Sequence, residues 1–529
     1  MSDETGTRFD PRRRDLLKAG AGLGLLALGG GVSLASAAGA GPRLPLPEYE
    51  QWDALEIARR IRMGDITASE AREASLARAD ARRAINAFAL THHEMAREEA
   101  RRLSGLGQGE RERLAEQAPL AGVPFALKDL GVALEGTRTT SGCAFFQDAD
   151  PAKRDSTLVA RYRAAGLNIF AKTTTPEFGQ TATTESRLYG DTRNPWDLSL
   201  SSGGSSGGAS AAVAAGILPV AHASDGGGSI RIPASACGLF GLKPSRGRVP
   251  MGPEHLEGWM GLSAHHVISR TVRDSAWLLG LTQGAEPGSR SVPPTDDPLA
   301  ALEREPSRMR IALLEQNPFG QPVHPDCLAA ARRAAELCES LGHRVEPAAL
   351  ELPVERIFAG MGVATGTGLL YSVRQREKAL GRQAREAEFE PINWRTLQHA
   401  ADFSAAQVFE ARAAFDEAGR QVDLLLEEYD LLLSPVTAAP APPLGALSLD
   451  QPYDDYVAAA MQASPFTSIF NMSGHPAMSV PLYWRQNGQP IGAQFVGRYA
   501  EESRLIGLAA WLEEAAPWRQ RWPDLVKNA

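Results

Sequence analysis

Ser229 follows three residues without side chains, in the run Asp225-Gly226-Gly227-Gly228-Ser229. A turn of that kind can aim several backbone N–H groups at one point, as a developing oxyanion requires, and its glycines leave room for a carbonyl beside the hydroxyl. Phosphate binding is the rival use of such a loop. Neither this run nor the earlier Gly203-Gly204-Ser205-Ser206-Gly207-Gly208 ends in Gly-Lys-Ser/Thr, and neither shows a dinucleotide fingerprint, so acyl chemistry is the better reading. By composition the earlier cluster is also compatible with a flexible linker. Its place between a strand region and the small-residue helical stretch 209–216 instead suggests glycines that let backbones approach closely.

A serine nucleophile needs a base. His222, His265 and His266 are near in sequence, yet none stands in a recognisable Ser-His-acid arrangement, and they read as structural histidines. Lys128 closes the apolar run 123–127. A lysine there can simply reach water with its stem lying on apolar surface. Stripped of water and of its proton, the same amine is a general base, although its reference pKa is about 10.4.

The elements that must hold these groups alternate in type. The patterns at 52–63 and 68–85 predict two amphipathic helices, the second opened by a Thr67/Glu70 capping box. Short apolar runs at 123–127 and 167–172, with a helical pattern at 157–165 between them, mark the entry into an α/β sheet. A strand is predicted at 217–221 before the nucleophile loop. Residues 284–308, with Pro293-Pro294 at their centre, read as a surface connection. Beyond it, strands are predicted at 310–314, 431–433, 478–482 and 491–496, and helices at 326–341 and 405–428. Neither half has a complete core of its own, so the two are expected to share one sheet.

With 43% hydrophobic and 22% charged residues, the 529-residue chain has the composition of an ordinary globular protein. A net charge of −8 with no basic stripe argues against a nucleic-acid partner. At the start, Arg12-Arg13-Arg14 precede Asp15-Leu16-Leu17-Lys18, a Gly/Ala/Leu stretch fills 19–34, and Ala35-Ser36-Ala37 closes it. That order is a secretion signal of twin-arginine type, and the stretch is too short and Gly-rich for a permanent membrane span. Residues 1–37 are therefore expected to be removed from a soluble periplasmic or secreted product that makes no membrane contact. Cys143, Cys237, Cys327 and Cys338 have no metal-ligand spacing; Cys327 and Cys338 lie roughly 16 Å apart on one predicted helix, too far to bond to each other.

Lys128 in Leu127-Lys128-Asp129, the 203–208 cluster and the segment 225–233 occur in the order of the amidase signature family, which the chain resembles. The similarity continues through Cys237-Gly238-Leu239-Phe240-Gly241-Leu242-Lys243-Pro244 and returns at Phe470-Asn471-Met472-Ser473-Gly474-His475-Pro476. The resemblance implies an amidase signature fold over 38–529 as a single domain, an α/β architecture with a large mixed central sheet covered by helices on both faces. It implies a catalytic triad of Lys128, Ser205 behind a cis peptide bond, and nucleophilic Ser229, with an oxyanion hole from the main chain of Gly226, Gly227, Gly228 and Ser229. It also places Thr140, Ser141 and Gly204 at the substrate, requires no metal or organic cofactor, and makes a small carboxamide the substrate of a monomer or homodimer.

This chain departs from the commonly found Thr-Asp-Thr-Gly-Gly-Ser by reading Ser224-Asp225-Gly226-Gly227-Gly228-Ser229, which leaves backbone donation intact. Asp225 and Arg231 read as a structural ion pair fixing the loop. The segment 225–235 is similar to the branch that includes aminohexanoate cyclic-dimer hydrolases, which favours secondary or lactam-like amides. An esterase, the glutaminase subunit of an amidotransferase and an inactive amide-binding protein are the alternatives.

Overall fold

A computed structural model describes residues 44–289 and 296–527. The expected export signal and Pro293-Pro294 lie outside the described residues. Helix α1 (Ala54–Met63) starts where the Asp53 carboxylate accepts the Glu56 N–H, and α2 (Ala68–Ala81) starts on the Thr67/Glu70 capping box. A three-stranded sheet follows, β1 (Phe88–Thr91), β2 (Pro124–Lys128) and β3 (Asn168–Thr173), with β3 in the middle. Helix α3 (Thr157–Ala164) joins β2 to β3, which pair in parallel.

Helix α4 (Gly207–Ala214) leads to β4 (Val220–Asp225), and α5 (Arg231–Cys237) to β5 (Phe240–Lys243). The remaining strands are β6 (Ala264–Ser269), β7 (Arg310–Leu313), β8 (Arg344–Pro347), β9 (Leu431–Pro435), β10 (Ala477–Trp484) and β11 (Pro490–Val496). With β4 and β5 they form one eight-stranded sheet in the order β8-β7-β9-β11-β10-β5-β6-β4. It is mixed: β7 pairs in parallel with β8 and β9, and the other pairings are antiparallel. The two halves of the chain thus share one sheet, as expected.

Side chains alternate across a strand, and here both sides are apolar. Ile311 and Leu313, Leu431 and Leu433, Met478 and Phe495 face one core, which α1, α2, α6 (Val272–Thr282), α7 (Pro325–Ser340) and the late helix 502–515 cover. Ala312, Leu432, Ala477 and Val496 face the other way, toward α10 (Ala405–Glu428) and the short segment 469–472, while Ala221, Ala223 and Ile268 pack on α4 and α5. The sheet therefore lies between two helical layers.

The strand predicted at 217–221 begins three residues later. Gly216 turns the chain in the left-handed region at φ 63°, and Pro219, which has no N–H to give a ladder, stands just outside β4. The larger surprise is α8 (Val354–Leu380), a 27-residue helix, followed by α9 (Pro391–Ala400). Gly360, Gly362, Gly366 and Gly368 weaken the helix signal of α8 in the sequence. Packing accounts for at least one of them: a Cβ on Gly360 would come 3.1 Å from the Phe415 ring of α10. All four cysteines are buried free thiols.

Candidate active site

Lys128 is the last residue of β2, fully buried where that strand meets β4. Its N–H donates to His222 Nδ1 at 3.0 Å, and His222 Nε2 lies 3.0 Å from His265 Nδ1. Burial pushes both imidazoles below their ordinary range, His265 to about 4, so this stacked pair is neutral scaffolding. His266 similarly bonds Ser275 at 2.8 Å. The Lys128 amine lies 2.7 Å from Ser205 Oγ and 3.1 Å from Ser224 Oγ. Burial lowers its pKa to about 7 against the opposing pull of Asp225. Near neutrality a large fraction of this amine is uncharged.

The Gly/Ser cluster is packed rather than flexible. A Cβ on Gly204 would lie 2.2 Å from Thr183 O, and one on Gly207 2.4 Å from Thr184 Oγ1. The Gly204–Ser205 peptide is cis, as expected. Ser206 Oγ donates to Ser224 O at 3.1 Å and accepts the Ser224 N–H at 3.3 Å, tying the cluster to the end of β4.

Asp225 organises the loop 226–230. Its carboxylate accepts the N–H groups of Gly228 at 2.7 Å and Ile230 at 3.1 Å, and a two-pronged bond from Arg231 at 2.9 Å on each arm. Asn471 Nδ2 donates to Asp225 Oδ1 at 2.8 Å, while Arg231 also reaches Gln494 Oε1 at 2.7 Å and Thr467 O at 2.9 Å. Burial alone would raise the Asp225 pKa; Arg231, Lys243 and Asn471 outweigh it and hold the carboxyl well below the usual carboxylate range. The ion pair expected from the sequence is therefore the hub of the loop. One expected oxyanion donor is corrected: the Gly228 N–H is already spent on Asp225. The N–H groups of Gly226, Gly227 and Ser229 have no partner among the described residues.

Ser229 and Gly227 line a cavity of about 380 Å³ walled by α8, α9 and the 453–468 segment. Its lining is mainly apolar, with Trp259, Ile357, Phe358 and Met361 on one side and Tyr456 among the residues that complete it. Lys128 and Ser205 sit behind this wall: a Cβ on the lining residue Gly179 would come 3.0 Å from Ser205 Oγ. Among the described residues no hydrogen bond joins Ser205 to Ser229.

The amidase family model matches residues 70–506. The chain belongs to the amidase signature family. It is 37% identical over 500 residues to the 6-aminohexanoate-cyclic-dimer hydrolase of Paenarthrobacter ureafaciens, covering 91% of this chain and 98% of that one. It is 32% identical to the lipoamidase of Enterococcus faecalis, over 88% of this chain and 63% of the relative. The solved structure of 6-aminohexanoate cyclic dimer hydrolase complexed with substrate superposes with a TM-score of 0.82 at 33% identity, over 90% of this chain and 99% of that chain. As an amidase signature protein the chain is a hydrolase acting on C–N bonds.

Within this amidase fold, the three residues expected at the substrate have the following neighbours. Thr140 is buried, its hydroxyl and its N–H both donating to the Asp129 carboxylate. Ser141, at φ 55°, donates its N–H to Asp129 O at 3.1 Å and accepts the Phe178 N–H at 2.7 Å. Gly204 is sealed against Thr183. None of the three lines the cavity. Of the three, Ser141 holds the turn Glu177–Gly179, whose Gly179 packs on Ser205, while Thr140 serves Asp129 and Gly204 meets Thr183. Ser224, Thr467, Asn471 and Gln494 are the site residues that sequence reasoning did not single out; for Asn471 the signal was the late motif Phe470-Asn471-Met472.

Proposed function

We propose that this chain is an amidase that converts a carboxamide to a carboxylate and an amine or ammonia through an acyl-enzyme on Ser229. The observation that carries the reading is the buried Lys128 amine, lowered to about 7 and 2.7 Å from Ser205 Oγ, directly behind the cavity that Ser229 lines. The uncharged amine takes the Ser205 proton as Ser205 takes that of Ser229, and Ser229 Oγ attacks the carbonyl carbon. The Ser205–Ser229 hydrogen bond belongs to the substrate complex, where catalytic contacts tighten. Gly226, Gly227 and Ser229 N–H groups receive the oxyanion. The proton returns through Ser205 to the departing nitrogen, and water then cleaves the acyl ester. Resemblance to a cyclic-dimer hydrolase and the apolar walls support secondary or cyclic amides of aliphatic chains as substrates.

If Lys128 is the base, kcat/KM rises with pH along a limb centred near 7, because only the deprotonated amine can accept the serine proton. Lys128→Ala should lose about 10²- to 10⁴-fold at neutral pH and lose that limb. A pH–rate profile for both proteins decides, and an unchanged limb in the variant removes Lys128 from the mechanism. Matched amide and ester substrates test the bond preference.

We further propose export by the twin-arginine route, supported by Arg12, Arg13 and Arg14 ahead of the apolar stretch. Replacing Arg13 and Arg14 by lysine should leave the enzyme in the cytoplasm on fractionation, and undiminished periplasmic activity would exclude that route.

A further inference from the structure

Trp259 and Met260 are consecutive non-glycine residues in the left-handed region, at φ 49° and 57°. Side chains that branch from such a backbone are rare, and bulky ones rarer, so something must hold the turn there. Three bonds do. Arg246 Nε donates to Gly261 O at 2.6 Å, Arg412 Nη1 to Met260 O at 3.2 Å, and Asn471 Nδ2 to Leu262 O at 3.0 Å. Asn471 is the same side chain that bonds the Asp225 hub, so this turn and the nucleophile loop share an anchor.

What the turn presents is an indole. The ring lies between two glycines from distant parts of the chain: a Cβ on Gly226 would come 2.8 Å from Trp259 Cε3, and one on Gly368 of α8 2.8 Å from Trp259 Cδ1. Both glycines have ordinary φ, so neither is needed for its backbone conformation; space for the ring is what each supplies. Any side chain at position 226 would collide with the indole. The ring edge thus occupies the room that the missing side chain vacates, beside the Gly226 N–H, which has no partner among the described residues, and in the wall of the cavity that Ser229 lines.

Resting on the amide-hydrolase reading above, we infer that Trp259 is a specificity-determining residue whose flat indole walls the space beside the scissile carbonyl and admits acyl groups that are unbranched next to it. A linear methylene chain passes along the ring face. A carbon branched next to the carbonyl meets the indole before the carbonyl reaches the Gly226, Gly227 and Ser229 donors.

The test compares hexanamide with 2-ethylhexanamide. Wild type should prefer the linear amide, and Trp259→Ala should raise the branched-to-linear ratio of kcat/KM at least about tenfold, while Trp259→Phe, which keeps a flat ring, stays near wild type. Trp259→Leu, an apolar filler without the plane, must shift the ratio in the same direction and serves if the alanine variant does not fold. A ratio unchanged within twofold in the folded variants overturns the inference. Calorimetric binding of the same two amides to Ser229→Ala and to Ser229→Ala/Trp259→Ala separates it from the hydrolase reading. A preference for the linear amide that disappears in the double variant supports the wall even if wild type hydrolyses neither amide, and equal affinities in both proteins refute it.

Discussion

Ser229→Ala is expected to reduce kcat on any accepted amide by at least about 10⁴-fold and to abolish labelling by a serine-reactive fluorophosphonate. The size follows from the loss of the only atom able to form the acyl-enzyme in the proposed mechanism, since a serine relay without its nucleophile retains only binding and oxyanion stabilisation. The fold should not notice. Ser229 Oγ makes no hydrogen bond among the described residues, and its side chain borders the cavity, so thermal unfolding of the variant should match wild type. Labelling that persists in Ser229→Ala, or normal turnover with intact folding, would transfer the chemistry to another residue.

A comparably large effect, on stability rather than rate, is expected for Asp225→Ala. Arg231 is fully buried, with Asp225 as its charge partner, and two backbone N–H groups of the nucleophile loop depend on the same carboxylate. Removing one side of a buried pair leaves an uncompensated charge, which costs about 3–5 kcal/mol. Denaturant unfolding should show that loss, and activity should fall with it because Gly228 and Ile230 lose their acceptor. The variant Asp225→Ala/Arg231→Ala should be less destabilised than the sum of its single changes, since no unpaired guanidinium remains. Strict additivity would mean that the pair does not act as a unit. The pH sense is fixed by the lowered carboxyl: its contribution is fully present above the unfolded aspartate pKa of about 3.9 and fades only as pH falls through the lower folded value.

Much of this was readable from residue types. Thr67 and Glu70 announce a helix start through their own side-chain chemistry, and the apolar period over 405–428 coincides with α10. Lys128 at the end of an apolar strand and Ser229 behind three glycines call for a reason by residue type, whereas Ser205 is picked from its cluster by the family resemblance. The structure brings Lys128 to Ser205, and Asp225 to Arg231, through segments whose order along the chain carried the family resemblance. Less visible were features that exist only between segments. Helix α8 hides its period behind glycines, two of which, Gly360 and Gly368, make room for Phe415 and Trp259. The commitment of the Gly228 N–H to Asp225 depends on how the carboxylate turns. Thr140 and Ser141 have polar side chains suited to substrate or to neighbours, and only the position of Asp129 decides for neighbours.

Strand β11 lies inside the sheet between β9 and β10, and it supplies Gln494 to Arg231, whose other partners include Thr467 and Asn471. Residues 490–496 must therefore be made and paired in the sheet before the loop around Ser229 gains its full set of partners. Fragments that stop short of this strand carry Lys128, Ser205, Ser229 and Asp225 yet lack the Gln494 acceptor that holds Arg231 from the sheet side. Chains ended before residue 490 are therefore expected to hold Arg231, and with it the loop around Ser229, less firmly than the full sheet does.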